Sequence, residues 1–226
     1  MSTLVEPAPS AARAPILSGT GIRRFFLVVP PLALAAVLLF HPPGGDPVYE
    51  GVRGDVDAWL FVHIGMRLAL PLLGIAAYLL LDGLHGLAAH VSRVALVFFL
   101  VFYTAYEATV GVATGVLVDH ANGLAGAEQA AVGDAIQELN RNAVLGDPIS
   151  VALALGSLGW IVAMVAAAVA LRRAGAGWTI TVLVGLAAAF AVHPPPIGPI
   201  ALVCFVAAAV LVERSRARAT GAQGAS

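Results

Sequence analysis

Six apolar blocks separated by short polar stretches run along the chain, at 25–40, 59–81, 91–118, 149–171, 178–192 and 197–212. Within a block the apolar residues neither alternate, as in a strand, nor keep to one narrow stripe, as on a helix half in water. That pattern predicts helices with apolar surroundings on every side. The second, third and fourth blocks are long enough to cross a hydrocarbon core of ~30 Å at ~1.5 Å per residue. The first, fifth and sixth reach only about 22–24 Å at the same rise, so they must thin the bilayer, sit within protein or end below the surface. The expected fold is therefore all-α: a polytopic membrane protein with a bundle of six transmembrane helices over 23–212. Residues 1–22 and 213–226, rich in small and polar residues, read as disordered tails.

Between the third and fourth blocks lies the longest connection, 119–148. Its segment AEQAAVGDAIQELNRNAV sets Val132, Ile136, Leu139 and Ala143 at helical spacing, with Glu128, Asp134, Glu138 and Arg141 elsewhere. This predicts a short amphipathic helix, either a solvated connector or a lid over the bundle.

Charge then orients the blocks. With the N-terminus in the cytoplasm, Arg13, Arg23, Arg24, Arg93, Arg172, Arg173, Arg214, Arg216 and Arg218 collect on the inner side, against Arg53 and Arg141 outside. The positive-inside rule thus places both termini in the cytoplasm and the protein in a bacterial plasma membrane. The competing reading of IRRFFLVV as a twin-arginine export signal would leave an apolar remnant too short to span.

Composition agrees and narrows the chemistry. The chain is 60% hydrophobic and 11% charged, with a mean hydropathy of +0.92. All 12 basic residues are arginine, which removes Schiff-base and phosphate-loop lysine chemistry. Cys204 is the lone cysteine, so neither a disulfide framework nor a cysteine-rich metal site is available. A net charge of −1 gives no sign of a nucleic-acid partner; the partners it leaves are the lipid bilayer and a small-molecule or lipid ligand.

The candidate chemistry lies in the few polar residues inside the blocks, since ionisable groups there are costly and face a bundle interior or a cavity. In WLFVHIGMRLALP, His63 and Arg67 are four apart and share a helix face. In VFFLVFYTAYEATVGVATG, Glu107 falls near the midplane, with Gly111 and Gly115 following at steps of four, a ridge suited to close helix contact. Arg67 and Glu107 differ in depth by only about 4 Å, so a buried Arg67–Glu107 pair is expected. Tyr103 and Tyr106 are near enough to hydrogen-bond into the same space, and Asp119 and His120 would mark its mouth. Trp59 and Trp178 are expected at the membrane interfaces, and His85 and His90 in a solvated inner loop.

Two further histidines share a context. Leu34-Ala35-Ala36 precedes His41-Pro42-Pro43 as Leu186-Ala187-Ala188 precedes His193-Pro194-Pro195. Proline has no amide hydrogen and pushes the preceding residue out of the helical region, so His-Pro-Pro stops a helix. The alternative is a pair of histidines at one depth, pointing into a shared outer pocket above His63, Arg67 and Glu107.

Three function classes fit. One is an outward-facing pocket that binds or moves a small ligand or protons, in which case six short spans imply a homodimer. Another is an intramembrane enzyme acting on a lipid or isoprenoid, with a protonated Glu107 as acid and ring faces from Phe98, Phe99, Phe102, Tyr103 and Tyr106 stabilising a carbocation. The third is a haem- or metal-binding protein using histidines at similar depth, although no pair has diagnostic ligand spacing and no cofactor is assigned. Through RRFFL, VHIGMRLALPLLGIAAYLLL, DHANGL and AVHPPPIGPIALVCF the chain resembles uncharacterised multi-pass integral membrane proteins of high-GC bacteria. That likeness implies a topology and carries no activity.

Overall fold

Arg23 and His41 stand at the two ends of the first helix, eighteen positions or about 27 Å apart, and the architecture follows from what each end meets. The computed structural model describes residues 20–146 and 149–223. The described residues form helices and no strands: α1 (Thr20–Leu38), a one-turn α2 (Val48–Val52), α3 (Val56–Leu80), α4 (Leu87–Asn122), α5 (Gly126–Asn140), α6 (Val151–Arg173), α7 (Trp178–Ala187) and α8 (Ile197–Gln223). Five of them are long and apolar enough to cross a membrane: α1, α3, α4, α6 and α8. The expected fifth block forms α7, which with a 3-10 turn over Ala188–Ala191 makes a shorter apolar helix.

Close backbone approach decides which helices touch. A Cβ at Gly156 would come within 2.7 Å of the Tyr103 backbone nitrogen, and one at Gly159 within 2.6 Å of that of Phe99. These two glycines of α6 let α4 pack backbone to backbone, the small-residue contact that membrane helices favour. Around the seam, Phe99, Tyr103, Trp160, Phe190 and Phe205 are fully buried. Phe99 lies 4.8 Å, and Phe190 5.5 Å, from the Trp160 ring centroid. The Trp160 indole N–H donates to the Ala187 carbonyl at 2.8 Å, so α7 is pinned where its α-helical turns end.

At the end of the bundle opposite His41, Arg23 donates to Asp82 at 2.8 Å and to Glu213 at 3.0 Å. Arg216 reaches Glu213 at 3.0 Å and the Asp82 carbonyl at 2.7 Å. This network joins α1, the end of α3 and α8. It also gives a physical reason why α8 runs to Gln223, through most of the stretch expected to be a disordered tail: Glu213 and Arg216 are held by tertiary partners that composition does not reveal. The other expected tail, 1–22, lies outside the described residues up to position 19.

The longest helix, α4, changes pitch twice, with π-helical segments at Phe99–Tyr103 and Glu107–Ala113. Such segments are rare and cluster at functional sites. Beyond them, α5 packs on α2 and the last turns of α4 through a small cluster of Tyr49, Val52, Trp59, Val118, Ala121 and Ile136. This cluster roofs the His41 end of the bundle. The Gln137 side chain fastens it by accepting from the Val48 backbone N–H at 3.0 Å.

Candidate functional site

Under that roof is a cavity of about 350 Å³, lined among others by His41, Trp59, His63, Tyr106, Asn140 and His193. Each histidine comes from a different element: His41 just past α1, His63 from inside α3, His193 just past the 3-10 turn that follows α7. The ring centroids of His41 and His63 are 5.1 Å apart, those of His41 and His193 5.1 Å, and those of His63 and His193 6.4 Å. The two His-Pro-Pro copies therefore bring their rings into one pocket.

Every ring has its Nδ1 engaged. His41 Nδ1 meets the Pro42 carbonyl at 2.8 Å, His63 Nδ1 meets Glu107 Oε2 at 2.8 Å, and His193 Nδ1 meets the Tyr103 hydroxyl at 2.7 Å. A carbonyl and a carboxylate only accept, so Nδ1 carries the proton on His41 and on His63. In the neutral rings Nε2 is then a bare lone pair. The Nε2 atoms of His41 and His63 are buried and have no partner, and neither has Glu107 Oε1. His63 is 3% exposed and Glu107 fully buried.

Charge in the pocket follows from burial. It pushes His193 down to about 4, with His41 and His63 adding to the fall against the pull of Glu107. It also holds His41 below the usual imidazole range, helped by His63 and opposed by the Pro42 carbonyl and Glu107. Burial thus favours the neutral form of both rings, and His41, with its proton on Nδ1, offers Nε2 as an acceptor.

One glycine makes the central contact. A Cβ at Gly111 would overlap the His63 ring, so the bare backbone of the π segment is what lets the imidazole reach Glu107. Trp59 packs on the same ring: its centroid is 4.4 Å from that of His63, and its N–H donates to the Gly111 carbonyl at 2.8 Å.

Several sequence expectations need correcting. Glu107 pairs with His63, not with Arg67. The inward stripe of α3 runs through Val62, His63, Met66 and Leu70, and the next position round from Met66 turns outward, so Arg67 is exposed on the apolar surface. None of the ion pairs among the described residues includes it. The residue count set Arg67 level with Glu107, but the residue that meets the carboxylate is His63, one turn earlier on α3. Asp119 and His120 are exposed on the last turn of α4, away from the cavity lining, so they do not form its mouth. Trp59, assigned to an interface belt, is 7% exposed and packs into the site; its place four residues before His63, on the same face, was the available signal. Asn140 escaped notice altogether. It is buried, lines the cavity and donates to the Thr114 hydroxyl at 2.9 Å. Of the third-block aromatics read as ring-face candidates, Phe99 is sealed in the core and Phe98 is 46% exposed outside.

Among the described residues, no group of three or more His, Cys, Asp or Glu side chains is placed to hold a metal ion. The chain carries several helices compatible with an integral membrane protein. No protein-family model, no curated protein and no solved structure matches it.

Proposed function

We propose that this is a plasma-membrane protein of six crossings with both termini in the cytoplasm, whose outward-facing pocket binds a small cationic or hydrogen-bond-donating ligand without covalent chemistry. The orientation rests on the arginine distribution. The binding reading rests on one observation: the Nε2 atoms of His41 and His63, two rings that line one pocket, are buried without a partner. Leaving such an acceptor unsatisfied costs about 1–3 kcal/mol, and more for a charged group, so a ligand that supplies donors or positive charge recovers that energy on binding. The alternative of acid catalysis on an isoprenoid fares worse, because Glu107 accepts from His63 and a carboxylate acting as acceptor is not poised to give up a proton.

The test has two arms. With Cys204→Ser as background, Val192→Cys places a thiol at an exposed position of the cavity wall. A membrane-impermeant maleimide should label it from the outer face and not from the inner one. Trp59 emission, reporting on the His63 ring against which it lies, should then respond to a panel of ammonium, guanidinium and metal cations. Labelling from the cytoplasmic face overturns the orientation, and indifference of Trp59 to every cation overturns the binding.

A further inference from the structure

Independently of the histidine pocket, we propose that the opposite end of the bundle seats one two-chain anionic phospholipid, its phosphate on Arg93 and its chains in the two grooves that flank α4.

The head of the site is Arg93. Its Nη2 donates to the carbonyls of Leu81 and Leu84, at 3.0 and 2.9 Å, in the turn between α3 and α4. Its Cζ lies 5.6 Å from the centroid of the Tyr78 ring. The guanidinium is therefore held in place, yet it has five N–H donors and both of these bonds leave from one nitrogen. Nε is buried without a partner. None of the ion pairs among the described residues includes Arg93. Capping the turn accounts for Nη2 and leaves the charge and the other two nitrogens over.

The neighbouring charges do not answer it. Asp82 lines the same groove, but Arg23 already holds its carboxylate, and Glu213 is shared by Arg23 and Arg216. Three arginines thus stand against two acids, and Arg93 is the surplus. A fixed guanidinium with spare donors, at the polar boundary of an apolar bundle, suits a phosphate oxygen.

The grooves supply the rest of the shape. One, of about 550 Å³ between α3 and α4, is lined by Asp82 and Arg93 at one end and by Val97 and Leu100 further on. The other, of about 470 Å³ between α4 and α6, is lined from His90 to Phe98 on α4 and by Leu158 on α6. Val94 lines both, and Val94, Val97 and Phe98 are exposed along the ridge between them. Seven positions separate Arg93 from Leu100 and eight separate His90 from Phe98, about 10–12 Å of helix. That is most of the ~15 Å that one leaflet contributes to a hydrocarbon core of ~30 Å. His90, expected in a solvated loop, is exposed on the first turns of α4. It stands three positions before Arg93, so the two polar side chains are neighbours on the helix surface. One polar head above two apolar grooves fits a molecule with one phosphate and two chains, and a single-chain amphiphile would leave one groove empty. A zwitterionic headgroup would bring an ammonium towards the surplus arginine; a glycerol headgroup brings none.

The test is native mass spectrometry of the full-length protein, released from detergent micelles containing phosphatidylglycerol or phosphatidylethanolamine with identical chains. The expected result is one retained lipid per chain, with phosphatidylglycerol favoured about fivefold or more. Arg93→Gln should cut phosphatidylglycerol retention about tenfold and leave phosphatidylethanolamine unchanged, whereas loss of a mere cap would alter both alike. Arg93→Lys, which keeps the charge, should retain most of the preference. Lysophosphatidylglycerol, with one chain, should be held at least about tenfold more weakly. Val97→Trp and Leu158→Trp, at exposed positions, fill one groove each without touching Arg93. Both should weaken the two-chain lipid, and they stay informative if Arg93→Gln does not fold. Equal retention of the two headgroups by the wild type overturns the proposal. So does wild-type retention of phosphatidylglycerol by Arg93→Gln or by both tryptophan variants, and so does equal retention of the one-chain and two-chain lipids. None of these outcomes bears on the histidine pocket, which the Trp59 titration tests.

Discussion

Gly111→Ala adds one methyl group, yet it should be among the most damaging single changes in the chain. The new Cβ would overlap the His63 ring, which also packs against Trp59, so the ring must move off its place against Glu107. Two costs add. Forcing a methyl into a well-packed interior costs about 1–3 kcal/mol. Driving the imidazole off Glu107 leaves a fully buried carboxylate without a partner, and breaking a buried pair in this way costs about 3–5 kcal/mol. The expected loss is thus several kcal/mol, larger than the methyl alone explains. Gly185→Ala is the control: it lies in a helix, and a Cβ there meets nothing within 4 Å, so replacing glycine by alanine should stabilise by up to about 1 kcal/mol. Unfolding the two variants side by side in mixed micelles of rising denaturing-detergent fraction reads the difference. Adding Glu107→Gln to Gly111→Ala should restore part of the loss, because the orphaned group is then neutral. If Gly111→Ala unfolds with the wild type, or if Glu107→Gln fails to rescue it, the reasoning that ties Gly111 to the His63–Glu107 pair is wrong.

Arg67→Leu should leave ligand binding in the pocket unchanged within twofold, since the side chain points away from it; a tenfold loss in a Trp59 titration would put Arg67 back into the site. Arg23→Ala removes the donor shared by Asp82 and Glu213 and should lower stability by about 2 kcal/mol, read as an earlier midpoint in the same micelle unfolding, and Asp82→Asn should do less because Asp82 is the more exposed acid. Acid should weaken the fold through His193. Its folded value, about 4, lies below the ordinary 6.5, so the unfolded chain binds the proton first; the stability is complete above about pH 6.5 and is lost as pH falls towards 4. Thermal melts at pH 7.5 and 5 should therefore differ by more in the wild type than in His193→Gln, and equal differences would refute the assignment.

How much of this was legible in the chain depends on which coordinate is asked for. Position along a helix axis reads from residue count, so the blocks and the helix ends near His41 and His193 come from the sequence; the count that paired Arg67 with Glu107 is overruled by the His63 contact. Rotation about the axis reads poorly when a helix is apolar all round, because no polar face marks the outside. Arg67 shows the consequence: its charge suggests an inward face, while the packing of Val62, Met66 and Leu70 decides otherwise. Pitch changes are invisible for a related reason. The π segments of α4 depend on tertiary contact, and no residue type announces them, yet the second begins at Glu107 and contains Gly111. The end of α8 is a third case, since the residues that hold it, Arg23 and Asp82, are remote in sequence.

The His-Pro-Pro stretches gain most from this distinction. Helix stop and binding site looked like competing explanations, but at His41 they are one device. The prolines end α1, which frees the Pro42 carbonyl from any helical partner, and that carbonyl accepts a hydrogen bond from His41 Nδ1–H and leaves Nε2 over. At His193 the chain likewise leaves α7 through a 3-10 turn before the prolines, and the freed ring reaches Tyr103. Ligand-bearing side chains on regular helices are constrained by the 3.6-residue period; those just past a helix end are not. Two of the three rings sit just past such ends, and the third faces a helix whose period has been altered. A pocket assembled where helices stop or change pitch brings together groups from three remote parts of the chain, and only the prolines mark any of those places in the sequence.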